Sequence, residues 1–325
     1  PSAFSLQTLD KTKPMKKRLL ILGVTASGKA TLAFELARTI QAEIISVDSM
    51  KIYRRMDIGT AKPSLERQQA VPYHMIDLLE PSDDSYNVGR YYDNAYEAVR
   101  TIQKQNKPVI AVGGTALYVK ALLYGLFDGP GADDTVRQAL MEQARTEGLP
   151  VLHQALTAID PEAAERISVN DQRRIVRALE VYQVTGKPIS SFQTQFDASS
   201  PRHDWLVIGL RRPKDLESRR INARVKKMQE IGLVDEVTRL LAEDAPLSPQ
   251  ASAAIGYAEI IDHLNGRLTQ DEAIERIKIN TRRLAKSQRT WFKTFRAVQW
   301  IDIQAEDTVE SVTHTARTLI ESYEN

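Results

Sequence analysis

The apolar run Arg18-Leu-Leu-Ile-Leu-Gly23 opens directly into Gly23-Val24-Thr25-Ala26-Ser27-Gly28-Lys29-Ala30, and a helical pattern follows. No other stretch constrains the fold so tightly. A strand, a glycine-rich turn and a helix in that order curl the backbone so that successive N–H groups point at phosphate oxygens, with the helix dipole behind them. Lys29 adds a mobile point charge for the terminal phosphate oxygens. The spacing matches G-x-x-x-x-G-K-[ST] except at its last position. Ala30 lacks the hydroxyl that usually ligates magnesium, and Thr31 lies one position round the helix. Water, another side chain or the phosphates themselves must then complete the metal shell.

Glu43-Ile-Ile-Ser-Val47, Met75-Ile-Asp-Leu-Leu79, Pro108-Val-Ile-Ala-Val112 and Trp205-Leu-Val-Ile-Gly-Leu210 read as further strands, and Val298-Gln-Trp-Ile301 as a last edge strand. Helical patterns cover Ala30 to Ile40, Val88 to Gln105 and Glu272 to Thr294. The alternation predicts an α/β fold, a P-loop NTPase-like and mostly parallel sheet flanked by helices, over residues 15–128 and 203–325. Ligands bind such sheets at the carboxyl ends of strands, where Lys29, Asp48 and Thr115 fall. From 129 to 202 only helical patterns appear, which predicts an all-helical insertion closed by the polar Asp197-Ala-Ser-Ser-Pro-Arg202 linker. Residues 1–14 are expected to form a loose tail.

The total charge is nearly balanced, 44 Lys and Arg against 42 Asp and Glu, so any polyanion must be met locally. From Arg276 to Arg296 there are eight Lys or Arg and no Asp or Glu, with Trp291 and Phe292 among them. That stripe is an electrostatic hint of a polyanionic ligand. Read as a surface helix, the same stretch would bury Ile277, Leu284 and Trp291 and point its charges outward. There is no cysteine, which excludes disulfides and thiolate metal sites. No apolar run approaches a membrane span, and the cytoplasm is the expected compartment. The five histidines show no zinc-like spacing. His74 is expected to be structural, and Trp205 and Trp300 to be core residues.

Ser46-Val-Asp48-Ser49-Met50-Lys51-Ile-Tyr53-Arg-Arg-Met-Asp57-Ile-Gly59-Thr60-Ala-Lys62-Pro63 resembles the signature of the tRNA dimethylallyltransferases, also called tRNA isopentenyltransferases. The resemblance recurs in order at His74–Asp77, Val112-Gly-Gly-Thr115-Ala-Leu-Tyr118 and Asp133–Arg137. It continues at Asn170-Asp171-x-x-Arg174, Arg177–Glu180, Gly186-Lys187, Gly256-Tyr257 and Thr281–Trp291. It spans about residues 18 to 302.

What it implies is transfer of a dimethylallyl group from dimethylallyl diphosphate to the exocyclic nitrogen of the adenosine 3′ of the anticodon. Asp48 would accept the proton of that nitrogen, a poor nucleophile whose lone pair is delocalised into the ring. Residues Gly23 to Ala30, Lys29 above all, would hold the diphosphate with Arg137, and Thr115 would sit beside substrate. The family's tRNA contacts map onto Asp48, Ser49, Met50 and Lys51, onto Gln172, Arg173, Arg174, Ile175 and Val176, and onto Tyr257, Arg282, Arg283, Lys286 and Gln288. Magnesium is the implied cofactor, the tRNA anticodon stem-loop the partner, and a monomer the expected state.

Plainer roles stand beside these. Asp48 could cap a turn or bind metal, Thr115 could cap the helix after it, and Arg137 could be a solvated helix arginine. Asn170 reads as an N-cap, after which Arg177 could pair with Glu180 at i, i+3. Ala30, Ala253 and Ser287 depart from the family pattern, the last two where basic residues are common. They are the case for an RNA-binding homologue without activity. A prenyltransferase acting on free AMP or ADP is a further alternative, as is a small-metabolite kinase, which would keep the hydroxyl at position 30.

Overall fold

The computed structural model describes residues 18–126, 129–192, 204–296 and 298–324. The expected tail at 1–14 and linker at 197–202 lie outside them. Contacts divide the chain into two compact units, Pro1–Leu123 with Pro201–Asn325, and Tyr124–Ser200.

The first unit is built on strands β1 (Arg18–Gly23), β2 (Glu43–Val47), β3 (Tyr73–His74), β4 (Val109–Gly113), β5 (Trp205–Arg211) and β6 (Val298–Asp302). They form one sheet in the order β3-β2-β4-β1-β5-β6, every neighbouring pair parallel. Leu19, Leu20, Ile21 and Leu22 are wholly buried, as unbroken apolar runs must be when helices cover both faces of a parallel strand. Before the helical unit come α1 (Lys29–Ile40), α2 (Leu65–Ala70), α3 (Val88–Lys104) and α4 (Ala116–Tyr124). One core joins Leu32, Ala33 and Leu36 of α1 to Ile44, Ile110 and Ile208 of the sheet and to Val312, Ala316 and Ile320 near the chain's end.

The second unit is helical throughout its described residues: α5 (Asp134–Glu147), α6 (Leu149–Ile159), α7 (Pro161–Arg166) and α8 (Gln172–Thr185). Leu140, Leu152, Leu156, Ile175 and Leu179 form its centre. Glu180 is fully buried there and accepts from Arg137 at 3.0 Å, Arg177 at 2.8 Å and the Asp133 amide at 2.8 Å. A buried carboxylate with three charged or polar donors is satisfied, so this polar knot locks α5 against α8.

The chain then returns through β5 to α9 (Lys214–Glu230), α10 (Leu233–Leu241), α11 (Pro249–Ser252), α12 (Tyr257–Leu264), α13 (Gln270–Phe292) and α14 (Val309–Glu324). Thr269 and Glu272 start α13 as a reciprocal capping box.

Two local expectations are corrected. The third strand is Tyr73–His74, not Met75–Leu79, because Met75 and Asp77 hold φ of 64° and 53°, which no strand residue can. Leu79 makes only an isolated bridge to Tyr53. The cap of α8 is Asp171, whose side chain accepts from the Arg174 amide at 3.2 Å, rather than Asn170.

Candidate active site

The phosphate loop closes a tight turn, Ser27 N–H to Val24 C=O at 3.1 Å, and Gly28 enters α1 at φ 104°. A side chain at Gly28 would be strained, which is why glycine stands there. The loop is held by three arginines that follow the helical unit in sequence. Arg212 Nε donates to the Ser27 carbonyl at 2.8 Å, Arg220 Nε to the Ala26 carbonyl at 2.9 Å, and Arg224 to the Thr25 hydroxyl at 3.0 Å. Gln288 accepts the Thr25 N–H at 2.8 Å and donates to the Gly114 carbonyl at 2.9 Å, so α13 ties the loop to the end of β4.

The charge is unbalanced. Lys29 folds back to the Val24 carbonyl at 3.1 Å. Desolvation, then the neighbouring Arg224 and Lys51, bring its pKa down to about 7, against the raising pull of Asp48. Lys51 is lowered by desolvation foremost, and Arg224 by desolvation and Arg220. Three cations whose charged forms are each disfavoured by burial and by neighbouring cations mark a cradle built for an anion.

Asp48 ends β2 beside this cradle. Its Oδ1 accepts from the Met50 amide at 2.9 Å and the Lys51 amide at 3.3 Å, while Oδ2 has no hydrogen-bond partner among the described residues. Thr115 begins the segment after β4 and accepts the Ser49 amide at 3.1 Å. The two strand ends meet closely. A Cβ on Gly113 would lie 2.0 Å from the Val47 carbonyl oxygen, so only glycine lets Asp48 and Thr115 stand side by side.

Two cavities join at this point. A polar one of about 790 Å³ is lined by the phosphate loop with Lys29, Lys51, Arg220, Arg224 and Lys227. An apolar one of about 510 Å³ is lined by Met50, Leu117, Met228, Ile277, Leu284 and Trp291. They share Thr25, Asp48, Thr60, Ala61, Gly114, Arg224, Leu284 and Gln288. Among the described residues Asp48 is the only carboxylate on either lining.

That arrangement reassigns part of α13. Ile277 is buried, but Leu284 is 40% exposed and Trp291 part-exposed, and both form the wall of the apolar cavity rather than a core. Ala253 and Ser287, the two departures, line the same cavity. Arg283 and Lys286 are exposed on α13, and Arg282 reaches Asn222 at 2.6 Å.

Gln172, Arg173 and Arg174 are exposed on the helical unit, whereas Ile175 and Val176 lie in its core and present no side chain to RNA. Arg177 is bonded to Glu180, the plainer of its two expected roles, and so is Arg137, for which the plainer expectation was a solvated helix arginine. Tyr257 is fully buried with its hydroxyl on Glu236 at 2.6 Å, so it supports the site from behind instead of facing a ligand. His74 pairs with Glu43 at 2.7 Å, and Trp205 is buried. Trp300 is only part-buried, with Arg211 over its ring at 4.9 Å.

Ala30 brings no oxygen to the cradle, and no group of three or more His, Cys, Asp or Glu among the described residues could hold a metal. No helix among the described residues is long and apolar enough to cross a membrane. Sequence reasoning missed Arg212, Arg220, Arg224 and Glu236. The i, i+4 spacing of Arg220 and Arg224 just after a strand returning to the sheet was the available signal.

A model of the IPP transferase family matches residues 51–295. The tRNA dimethylallyltransferase of Geobacter metallireducens is 45% identical over 288 residues, 88% of this chain and 93% of its own length. That of Geobacter sulfurreducens is 44% identical over 91% and 95%. Among solved structures, the tRNA isopentenylpyrophosphate transferase of Bacillus halodurans superposes with a TM-score of 0.68 at 36% identity, covering 94% of this chain and 98% of that one. A eukaryotic dimethylallyltransferase solved in the act of modifying tRNA gives 0.78 at 25% identity, covering 94% and 80%. The parallel sheet, the phosphate loop and the sequence matched across nearly the whole of these relatives place this chain in the IPP transferase family.

Proposed function

We propose that this protein is a tRNA dimethylallyltransferase, transferring the dimethylallyl group of dimethylallyl diphosphate to the exocyclic N6 of the adenosine next to the anticodon. The observation that carries the reading is the junction of a cationic cavity and an apolar one at a single carboxylate, Asp48. A diphosphate joined to a short apolar chain, met by a purine, needs those three environments in that order.

The phosphate loop amides with Lys29, Arg220 and Arg224 bind the diphosphate and stabilise the charge that grows on it as the allylic C–O bond breaks. The allylic carbon, pointed at the apolar cavity, is attacked by N6. Asp48 accepts the N6 proton as the new C–N bond forms, and diphosphate leaves. Its Oδ1 is held by two backbone amides, which fixes the carboxylate while Oδ2 takes the proton. Thr115 pins the Ser49 amide and so the turn that carries the base. Magnesium, when bound, would add charge neutralisation on the diphosphate oxygens, carried by the substrate. The adenosine must leave its stack to reach Asp48, and the cationic surface of α13 with Arg173 and Arg174 of the helical unit grips the anticodon arm. We place the reaction in the cytoplasm, on a monomer.

The test is transfer of labelled dimethylallyl diphosphate to unmodified tRNA, with AMP as a parallel acceptor. Label in tRNA alone is expected. Label in AMP would move the protein to free-nucleotide prenylation, and tRNA binding without transfer would make it an RNA-binding homologue.

A further inference from the structure

Residues 57–62 run along both cavities: Gly59 lines the apolar one, Thr60 and Ala61 line both, and Lys62 lines the polar one. This segment is irregular, and irregular backbone at the edge of two open cavities needs something to fix it. What fixes it is a carboxylate outside the site. Glu236 of α10 is 4% exposed. It accepts the amides of Asp57 at 3.0 Å, Ile58 at 2.8 Å and Gly59 at 3.1 Å, together with the Tyr257 hydroxyl at 2.6 Å. Four donors on one buried carboxylate leave it no freedom.

The opposite side of the segment is held by a buried lysine. Lys62 Nζ donates to the Tyr53 carbonyl at 2.5 Å, to Asp57 at 2.7 Å and to Asp77 at 2.5 Å. Of the seven non-glycine residues with positive φ among the described residues, Arg55, Ala61, Met75 and Asp77 belong to this frame. Backbone held in such conformations persists only where its surroundings over-determine it, and it concentrates where geometry matters for function. The packing is close as well: a Cβ on Gly59 would come within 2.3 Å of the Tyr257 ring.

We infer that Glu236 is a positioning residue that sets prenyl-chain selectivity: by holding residues 57–61 rigid, it fixes the wall where the diphosphate cradle meets the apolar cavity at Asp48. The inference rests on the transfer reaction proposed above. Gly59, Thr60 and Ala61 wall the apolar cavity beside Asp48, so their placement sets how much of it a prenyl chain can enter. A wall released from Glu236 yields to a longer chain, and with it the alignment of the allylic carbon with the acceptor nitrogen becomes looser.

The experiment compares kcat/KM for dimethylallyl diphosphate with that for geranyl diphosphate, on the same unmodified tRNA, in the wild type, Glu236→Gln and Tyr257→Phe. Thermal melting of each protein is recorded alongside. Tyr257→Phe leaves the three backbone amides on Glu236 and removes only the hydroxyl, so it keeps the test open where Glu236→Gln fails to fold. The preference for the shorter chain is expected to fall at least about tenfold in Glu236→Gln and about threefold in Tyr257→Phe, since about five carbons separate the two chains and an apolar pocket discriminates even one methylene by about tenfold. A lowered rate or melting temperature with the preference unchanged would overturn the inference and leave Glu236 a purely structural group. A wild type that modifies tRNA with neither diphosphate would overturn the proposed reaction instead.

Discussion

Arg224 donates to the hydroxyl of Thr25 at 3.0 Å although 199 positions separate them in the chain. The contact brings a guanidinium to the phosphate loop from α9, a helix late in the sequence, and it helps depress Lys29 to about 7. An anion in the cradle reverses that depression. Binding of inorganic diphosphate above pH 7 is therefore expected to take up a proton, with affinity falling up to about tenfold per pH unit between 7 and the ordinary lysine value. Titration calorimetry at pH 8.5 in buffers of different ionisation enthalpy measures that proton. In the free protein the sign is opposite for stability. The folded state lacks a proton that the unfolded lysine holds, so Lys29's contribution rises as pH climbs from about 7 towards 10.5.

Asp48→Asn keeps the shape and the turn but removes the proton acceptor. Transfer is expected to fall by about 100- to 10,000-fold, with diphosphate and tRNA affinity changed less than about threefold. Equal losses of binding and rate, measured by single turnover and filter binding, would assign Asp48 to RNA recognition.

Arg282→Ala with Arg283→Ala is expected to weaken tRNA binding and flatten its salt dependence. Two phosphate contacts correspond to a slope change of about 1.8 in a plot of log affinity against log salt. An unchanged slope would remove that face of α13 from the interface.

Glu180 concerns the helical unit alone. Burial by itself would raise its carboxyl, but hydrogen bonds from Arg177, the Asp133 amide and Arg137 outweigh that and hold it below the usual carboxylate range. The stability it contributes is complete above its unfolded value and is lost as pH falls through the folded one. Glu180→Gln is expected to cost about 2–3 kcal/mol, below the full value for a broken buried pair because Arg137 and Arg177 reach solvent. Hydrogen exchange across residues 134–185, at pH 7 and at pH 4, reads both effects.

Ala30→Thr restores the hydroxyl that phosphate loops of this spacing usually carry. The magnesium concentration for half-maximal transfer is expected to drop several-fold. No change would mean that the diphosphate alone carries the ion at this site.

The sheet was legible because buried parallel strands read as near-continuous apolar runs: Leu19–Leu22 and Val109–Val112 are unbroken, and Ile44–Val47 is interrupted only by the buried Ser46. The phosphate loop was legible because its glycines and lysine have fixed spacing. Tyr73–His74 was not, since two residues make no period and the apolar residues after them belong to a bent segment. Ile175 and Val176 followed their motif in sequence yet turned inward, as the apolar face of a helix does. Arg212, Arg220 and Glu236 escaped notice because each acts on backbone far away in the chain, and no local pattern announces a partner of that kind.

The pairing of β1 with β5 bears on how the protein comes off the ribosome. Leu19 lies beside Leu206, and the arginines that brace the loop follow β5 directly. A nascent chain synthesised only as far as the helical unit has already made its phosphate loop and Asp48, yet one flank of the central strand is bare and the loop carbonyls are unbraced. Folding of the core must wait for distant contacts, with the cost in speed that such topology carries. An abortive translation product ending in the helical unit would thus be unable to hoard prenyl diphosphate, and competence would arrive only once the distal half has emerged.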